Sequence, residues 1–206
     1  MNPDPILILA QVVPVTEAEG PGQRFAIWFQ GCPLRCPECC NPEFIPFTGG
    51  TPTAVSELIR QLENVNVEGI TLLGGEPFAH AGGAAMLSSA ARIRGLSVMV
   101  FSGYTIGELQ SHADPAVARL LAETDILVDG PYLREQPDTT RRWIGSTNQR
   151  IHFLTDRYRP DDPCWRQPNT LELRVRNSEV TVNGFPSSGA KGLWKGWTRK
   201  AAGAGR

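Results

Sequence analysis

The sequence contains no run of about 18 consecutive apolar residues, so a membrane-spanning helix is not expected. Its first residues lack a basic stretch and a small-residue cleavage site, so a secretory signal is not expected either. Net charge is nearly absent. Twenty Lys and Arg against 21 Asp and Glu give −1, and no overall field points to nucleic acid or an anionic membrane. Cysteines are few, odd in number at five, and four of them fall between residues 32 and 40. A secreted disulfide framework spreads an even number along the chain, so a reducing cytoplasm is the expected compartment. Internal repeats and a clear linker are also missing. What remains is a chain of 206 residues, 41% hydrophobic, long enough to bury one real core.

Along the chain, apolar β-branched segments alternate with amphipathic ones. Residues 6–15 (ILILAQVVPV) and 24–31 (RFAIWFQG) read as strands. Residues 51–62 read as a helix, capped by Thr51 or Thr53, with Val55, Leu58, Ile59 and Leu62 on one face. Residues 69–77 (GITLLGGEP) read as a buried strand ending in a glycine turn, and 79–94 as a small-residue helix. Residues 96–105 form the next strand and loop, and Thr105 with Glu108 makes a capping box. A helix over 114–122 opens with Pro115 at its first position. Strands at 124–132 and 149–155 close the series. Repeated βα units predict an α/β fold with a parallel sheet, curled toward a partial barrel.

The remainder differs. Residues 170–185 alternate apolar and polar around Asn177-Ser178, which predicts a β-hairpin with Leu171, Leu173 and Val175 on one face. Residues 187–206 carry five basic and no acidic residues amid Gly and Ala, together with Trp194 and Trp197. The expected organisation is one domain over 1–186, its core at about 6–155 and its hairpin at about 170–185, followed by a basic tail over 187–206.

The stretch GCPLRCPECCN, residues 31–41, carries the chemistry. Cys32, Cys36 and Cys39 are spaced C-x3-C-x2-C directly after a strand. Structural zinc wants four ligands, and the fourth would have to be adjacent Cys40 or a distant His80, His152 or Cys164. Three thiolates on a 4Fe-4S cluster instead leave one iron open, which is the mark of a reactive site. The second motif is LLGGEP, residues 72–77. Gly74 and Gly75 would let backbone approach a ligand, Glu76 offers an acceptor for an ammonium group, and Pro77 starts a helix.

On these motifs the chain resembles the radical S-adenosylmethionine (SAM) superfamily. The resemblance implies a 4Fe-4S cluster on Cys32, Cys36 and Cys39, with the amine and carboxylate of SAM on the open iron. In that superfamily an electron from the cluster cleaves SAM to methionine and a 5′-deoxyadenosyl radical, which abstracts hydrogen. Gly74, Gly75, Glu76 and Pro77 would lie beside the SAM amino group. Glu38 and Cys40 flank the third cysteine, where family members border the adenine.

Three further segments resemble the activating proteins of anaerobic ribonucleotide reductase. They are Asn41 after the cysteines, FSGYT at residues 101–105 with Ser102, and the run Ser146-Thr147-Asn148-Gln149-Arg150. The resemblance implies a glycyl-radical enzyme as partner and an external flavodoxin-like or ferredoxin-like electron donor. Asp129, at a strand end on the same face, and Arg150, at a strand start, are candidate SAM contacts. Two other readings stay open: a radical SAM enzyme acting on a small molecule such as a nucleoside or nucleotide, and a non-catalytic metal-binding interaction module. His152 and Cys164 read as structural, and Arg141-Arg142 as a solvated pair.

Overall fold

Two sequence features decide the architecture. Strand-forming segments recur with helices between them, and each central strand is apolar on both faces. The computed structural model describes residues 4–176 and 179–185. Seven strands form one sheet in the order β3-β1-β2-β4-β5-β6-β7. They are β1 (Ile6–Thr16), β2 (Arg24–Phe29), β3 (Thr51–Ala54), β4 (Gly69–Gly74), β5 (Ser97–Phe101), β6 (Ile126–Asp129) and β7 (Arg150–Phe153). Helices α1 (Val55–Glu63), α2 (Ala81–Ile93), α3 (Ile106–Gln110) and α4 (Pro115–Ala122) fill the crossovers. Strands β2, β4, β5 and β6 run parallel.

The sheet is mostly rather than wholly parallel. β1 pairs antiparallel with β2, and β7 antiparallel with β6. For β1 and β2 the reason is connection length: the loop from Thr16 to Arg24 is too short for a crossover of a dozen or more residues. Pro14 falls where the β1–β2 register shifts between Val13 and Thr16, the kind of irregularity that tolerates a missing N–H.

The expected helix over 51–62 is half corrected. Residues Thr51–Ala54 pair with β1 as a strand, and the helix begins at Val55. Neither Thr51 nor Thr53 caps it. Asp4 does so from the preceding segment, its carboxylate accepting from Ser56 N at 3.3 Å and Ser56 Oγ at 2.6 Å. The helix expected over 79–94 opens instead with a 3-10 turn, Pro77–His80, before α2. The Thr105–Glu108 capping box and the Asp114–Pro115 helix start are present.

One sheet face packs on α1, α2 and α4 through Phe25, Ile27, Ile70, Leu72, Val98, Val100 and Leu127. Alternation turns the intervening residues to the opposite, inner face. There Met99, Ile126 and Val128 meet Trp143, Ile144, Tyr158 and Trp165, while Trp28 and Leu73 pack with Ala26 and Val13. This fits the partial-barrel expectation, with aromatic residues filling much of the would-be lumen. Deep at the strand starts Arg24 is fully buried. Its guanidinium donates to Thr71 Oγ1 at 3.0 Å, Ser97 Oγ at 2.5 Å and the Ile70 carbonyl. Tyr158, bonded to Glu68 at 2.6 Å, completes the network.

Strands β8 (Leu171–Arg176) and β9 (Glu179–Gly184) form the expected hairpin. Its turn, Asn177-Ser178, lies outside the described residues, as does the tail over 187–206.

Candidate functional site

The four parallel strands all end at one edge of the sheet. β2 runs into the cysteine loop, β4 into Gly75-Glu76, β5 into Ser102-Gly103, and β6 into Gly130. Open α/β sheets bind ligands at this edge. Residues 28 to 130 of the sequence are thus gathered into one place by strand direction alone.

The cysteine loop is pinned at its start. Gly31 N donates to the Phe44 carbonyl at 2.8 Å, and Cys32 N to the Ile45 carbonyl at 2.9 Å. Cys32 is buried, Cys36 and Cys39 are half-buried, and Cys40 is exposed. Each of the first three sulfurs faces backbone N–H groups: Leu34 and Arg35 at Cys32, Tyr132 at Cys36, and Asn41 at Cys39. Amide donors of this kind stabilise thiolate and tune cluster potential. Burial pushes the Cys32 and Cys36 thiols up. A hydrogen bond from Cys40 brings Cys39 down to about 6. That shared bond pushes Cys40 up. Among the described residues, no three His, Cys, Asp or Glu side chains converge as a single metal ion would require. Cys32, Cys36 and Cys39 place three free thiols in one loop, a donor chemistry suited to iron–sulfur binding.

Glu76 is 1% exposed. Its Oε1 accepts from Phe78 N and Ser102 Oγ, both at 3.0 Å, and its Oε2 accepts from Gly103 N at 2.9 Å. Burial raises its pKa to about 7. The carboxylate expected to await an ammonium group therefore also clasps the ends of β4 and β5. The glycines make room for the neighbouring strand β2 and for Gly31 just beyond its end. A Cβ on Gly75 would lie 2.3 Å from the Gly31 carbonyl oxygen, and one on Gly74, at φ +100°, 2.7 Å from Trp28 Cα. They let β4 press against the root of the cysteine loop. Pro77 opens the 3-10 turn as expected.

Asp129 and Ser102 are buried. Asp129 Oδ2 accepts from Ile106 N at 2.7 Å, and His152 Nε2 lies 3.0 Å away, off the line that a hydrogen bond needs. Arg150, opposite Asp129 in the β6–β7 register, is exposed. Asp129 and Arg150, with Asn148, Gly130 and Thr105, border a cleft of about 300 Å³. Asn148 donates to the Pro131 carbonyl at 2.8 Å, while its buried Oδ1 has no partner.

The Ser146–Arg150 motif works chiefly as a clasp for the loop between β6 and β7. Gln149 accepts from Gly145 N and Ser146 N and donates to the Gly130 carbonyl, each at 3.1 Å. Glu38 is exposed and pairs with Arg134 of the same loop at 3.3 Å. The loop thereby reaches the cysteines twice, through Arg134 and through Tyr132. Arg141 and Arg142 are not a solvated pair. Arg141 bonds Asp138 at 2.6 Å and the Gln149 carbonyl at 2.8 Å, while Arg142 lies 4.1 Å over the Trp143 ring. Sequence reasoning missed these two and buried Arg24. For Arg24 the available signal was a charge opening a strand that is otherwise apolar.

His80 Nε2 donates to the Gln30 carbonyl at 2.9 Å, and its ring stacks on Phe29. Cys164 packs beside the Trp143–Trp165 cluster, its thiol pushed up by burial.

The family model described as a 4Fe-4S single cluster domain matches residues 18–152. The anaerobic ribonucleoside-triphosphate reductase-activating protein of Vibrio cholerae is 31% identical over 154 residues, 70% of this chain and 97% of that protein. The Escherichia coli K12 protein of the same description is 31% identical over 153 residues, again 97% of its length. The bacteriophage T4 protein is 27% identical, over 71% of this chain and 94% of its own. The crystal structure of QueE from Escherichia coli aligns with a TM-score of 0.39 at 17% identity, over 48% of this chain and 53% of that one. A likeness that distant carries no argument. No helix among the described residues is long and apolar enough to cross a membrane. The chain belongs to the 4Fe-4S single cluster domain family, together with the anaerobic ribonucleoside-triphosphate reductase-activating proteins.

Proposed function

We propose that this chain is a cytoplasmic activase that generates a glycyl radical on an anaerobic ribonucleotide reductase. One observation supports this above the others: the cysteine loop, Glu76, Ser102 and Asp129 meet at a single sheet edge, in a chain that spans nearly the whole length of its activating relatives. When bound, the cluster and SAM supply one electron and a radical that takes hydrogen from a glycine. One electron and one SAM yield methionine, 5′-deoxyadenosine and the glycyl radical, with a flavodoxin-like or ferredoxin-like protein as reductant.

In this reading Cys32, Cys36 and Cys39 hold the cluster, and bound iron would hold Cys32 and Cys36 as thiolates against the burial that favours their thiol form. Glu76, Gly74, Gly75 and Pro77 hold the amino end of SAM. Ser102 keeps the Glu76 carboxylate oriented through its 3.0 Å hydrogen bond. Asp129 and Arg150 receive polar groups of SAM in the 300 Å³ cleft they border. Glu38 and Cys40 border the adenine. The loop carrying Tyr132 and Arg134 leans on the cysteines and excludes water from that side. A small-molecule acceptor finds less support, because Trp143, Trp165 and Tyr158 fill much of the inner face.

The test is anaerobic. Reconstituted protein is reduced, mixed with SAM and an anaerobic ribonucleotide reductase, and read by electron paramagnetic resonance. A glycine-centred doublet that needs all three cysteines supports the reading. SAM cleavage with no radical on the reductase refutes the activase part.

A further inference from the structure

Arg35, inside the cysteine loop, has φ +49°. Among the described residues, Trp143 is the only other non-glycine residue with positive φ. Left-handed backbone disfavours an L-residue on the order of tenfold, and glycine or asparagine is the usual occupant. The Arg35 side chain is exposed, so its own packing does not account for the conformation. The surrounding anchors do. Cys32 N donates to the Ile45 carbonyl at 2.9 Å, which fixes the start of the loop. Leu34 lies against the end of β5: a Cβ on Gly103 would stand 2.5 Å from Leu34 Cδ1. Cys36 faces the Tyr132 amide of the loop between β6 and β7. Arg35 is the single residue between these last two anchors, so the change of direction falls on it. Pro33 has no N–H. Leu34 and Arg35 therefore carry the first amides after Cys32, and both face its sulfur.

We propose that Arg35 is a positioning residue that acts through its backbone: its left-handed turn aims the Leu34 and Arg35 amides at Cys32 and prepares that sulfur for the cluster. Successive amides around a left-handed residue form a concavity that holds an anion. Cys32 is the cysteine that most needs one. It is buried where Cys36 and Cys39 are half-buried, and burial opposes a charged sulfur. The two amide dipoles offset that cost and are in place beforehand, so the loop need not rearrange when iron arrives.

Amide donors on a cluster sulfur also favour the more negative, reduced cluster and so raise its potential. Strained backbone of this kind persists where the surrounding structure over-determines it, and the three anchors do so here. The two parts of Arg35 thus separate. Its backbone conformation serves the cluster, and its guanidinium is dispensable for that task. The inference rests on the cluster part of the function proposed above.

The experiment compares the full chain with Arg35→Gly, Arg35→Asn, Arg35→Lys and Arg35→Val after anaerobic reconstitution with iron and sulfide. The readouts are iron per chain, the rate of iron loss to a chelator, and the cluster midpoint potential followed by electron paramagnetic resonance. Gly and Asn adopt positive φ readily, whereas β-branched Val resists it most. Arg35→Gly and Arg35→Asn, though uncharged, are expected to match wild type in iron retention and potential, as is Arg35→Lys. Arg35→Val is expected to lose iron on the order of tenfold faster, and its remaining cluster to titrate at lower potential. Hydrogen exchange of β4 and β5 amides, unchanged in Arg35→Val, shows that the body stays folded. An Arg35→Val protein that keeps wild-type iron retention and potential overturns the inference. So does iron loss in Arg35→Gly and Arg35→Asn that Arg35→Lys does not share, which would assign the role to the positive charge. A wild-type chain that takes up no iron would sink the cluster reading and this inference with it; a flat series in an iron-loaded wild type sinks the inference alone.

Discussion

Ser102 Oγ donates to Glu76 Oε1 at 3.0 Å, joining the ends of two neighbouring parallel strands through one buried carboxylate. Phe78 N and Gly103 N complete the grip. Replacing Glu76 with Ala leaves three buried donors without an acceptor. Such groups cost about 1–3 kcal/mol each when unmade, so a loss of several kcal/mol is expected in urea unfolding. Ser102→Ala removes one bond only and should cost about 1 kcal/mol. Equal losses in the two variants would contradict the clasp.

Gly75 separates a packing role from a ligand role. A Cβ there meets the Gly31 carbonyl oxygen at 2.3 Å, beside Cys32. Gly75→Val is therefore expected to displace the root of the cysteine loop and lower iron content after anaerobic reconstitution. Full iron with weakened SAM binding would show that this glycine serves the ligand and not the packing of the loop.

Glu19 couples pH to the hairpin. It is 2% exposed, within 3.2 Å of Asn183 Nδ2, with Glu172 and Arg174 nearby. Burial raises its pKa from 4.5 to about 8. The folded state thus keeps a proton that the unfolded chain releases near 4.5. Stability is fullest below that value, falls as pH rises, and carries the whole penalty above about 8. Thermal melts should drop between pH 6 and 8.5, and Glu19→Gln should flatten that slope. An unchanged slope in the variant would remove Glu19 as its source.

Arg24 tests the buried network at the strand starts. Its guanidinium serves Thr71, Ser97 and the Ile70 carbonyl, and burial lowers its pKa to about 10. Arg24→Ala leaves these acceptors unpaired and should cost about 3–5 kcal/mol, while Arg24→Met, which keeps volume, should cost less. Urea denaturation of both variants checks the order.

Elements set by neighbouring residues were legible in the sequence. The Thr105–Glu108 box and the Asp114–Pro115 start involve contacts within one turn, and both are present. Elements set by distant partners were not. β3 exists because Thr51–Ala54 meets β1, and α1 takes its cap from Asp4, 52 residues away. Alternation revealed the hairpin but not which face is anchored, because polar bonds to Val15, Thr16 and Glu17 decide that. At the site, the cysteine spacing and Gly-Gly-Glu-Pro marked the right edge of the sheet. The second duty of Glu76 was hidden, since its partners Ser102 and Gly103 arrive on another strand. The same holds for the loop clasp made by Arg141 and Gln149.

The central claim concerns where the hydrogen comes from, and isotope transfer measures it directly. The reductase is prepared with glycine deuterated at its α-carbon and incubated with the reduced, cluster-loaded protein and SAM. The 5′-deoxyadenosine is then examined by mass spectrometry. The account predicts one deuterium per product molecule, formed in step with the glycyl radical and abolished by Cys36→Ala. Unlabelled 5′-deoxyadenosine produced at full rate would contradict it.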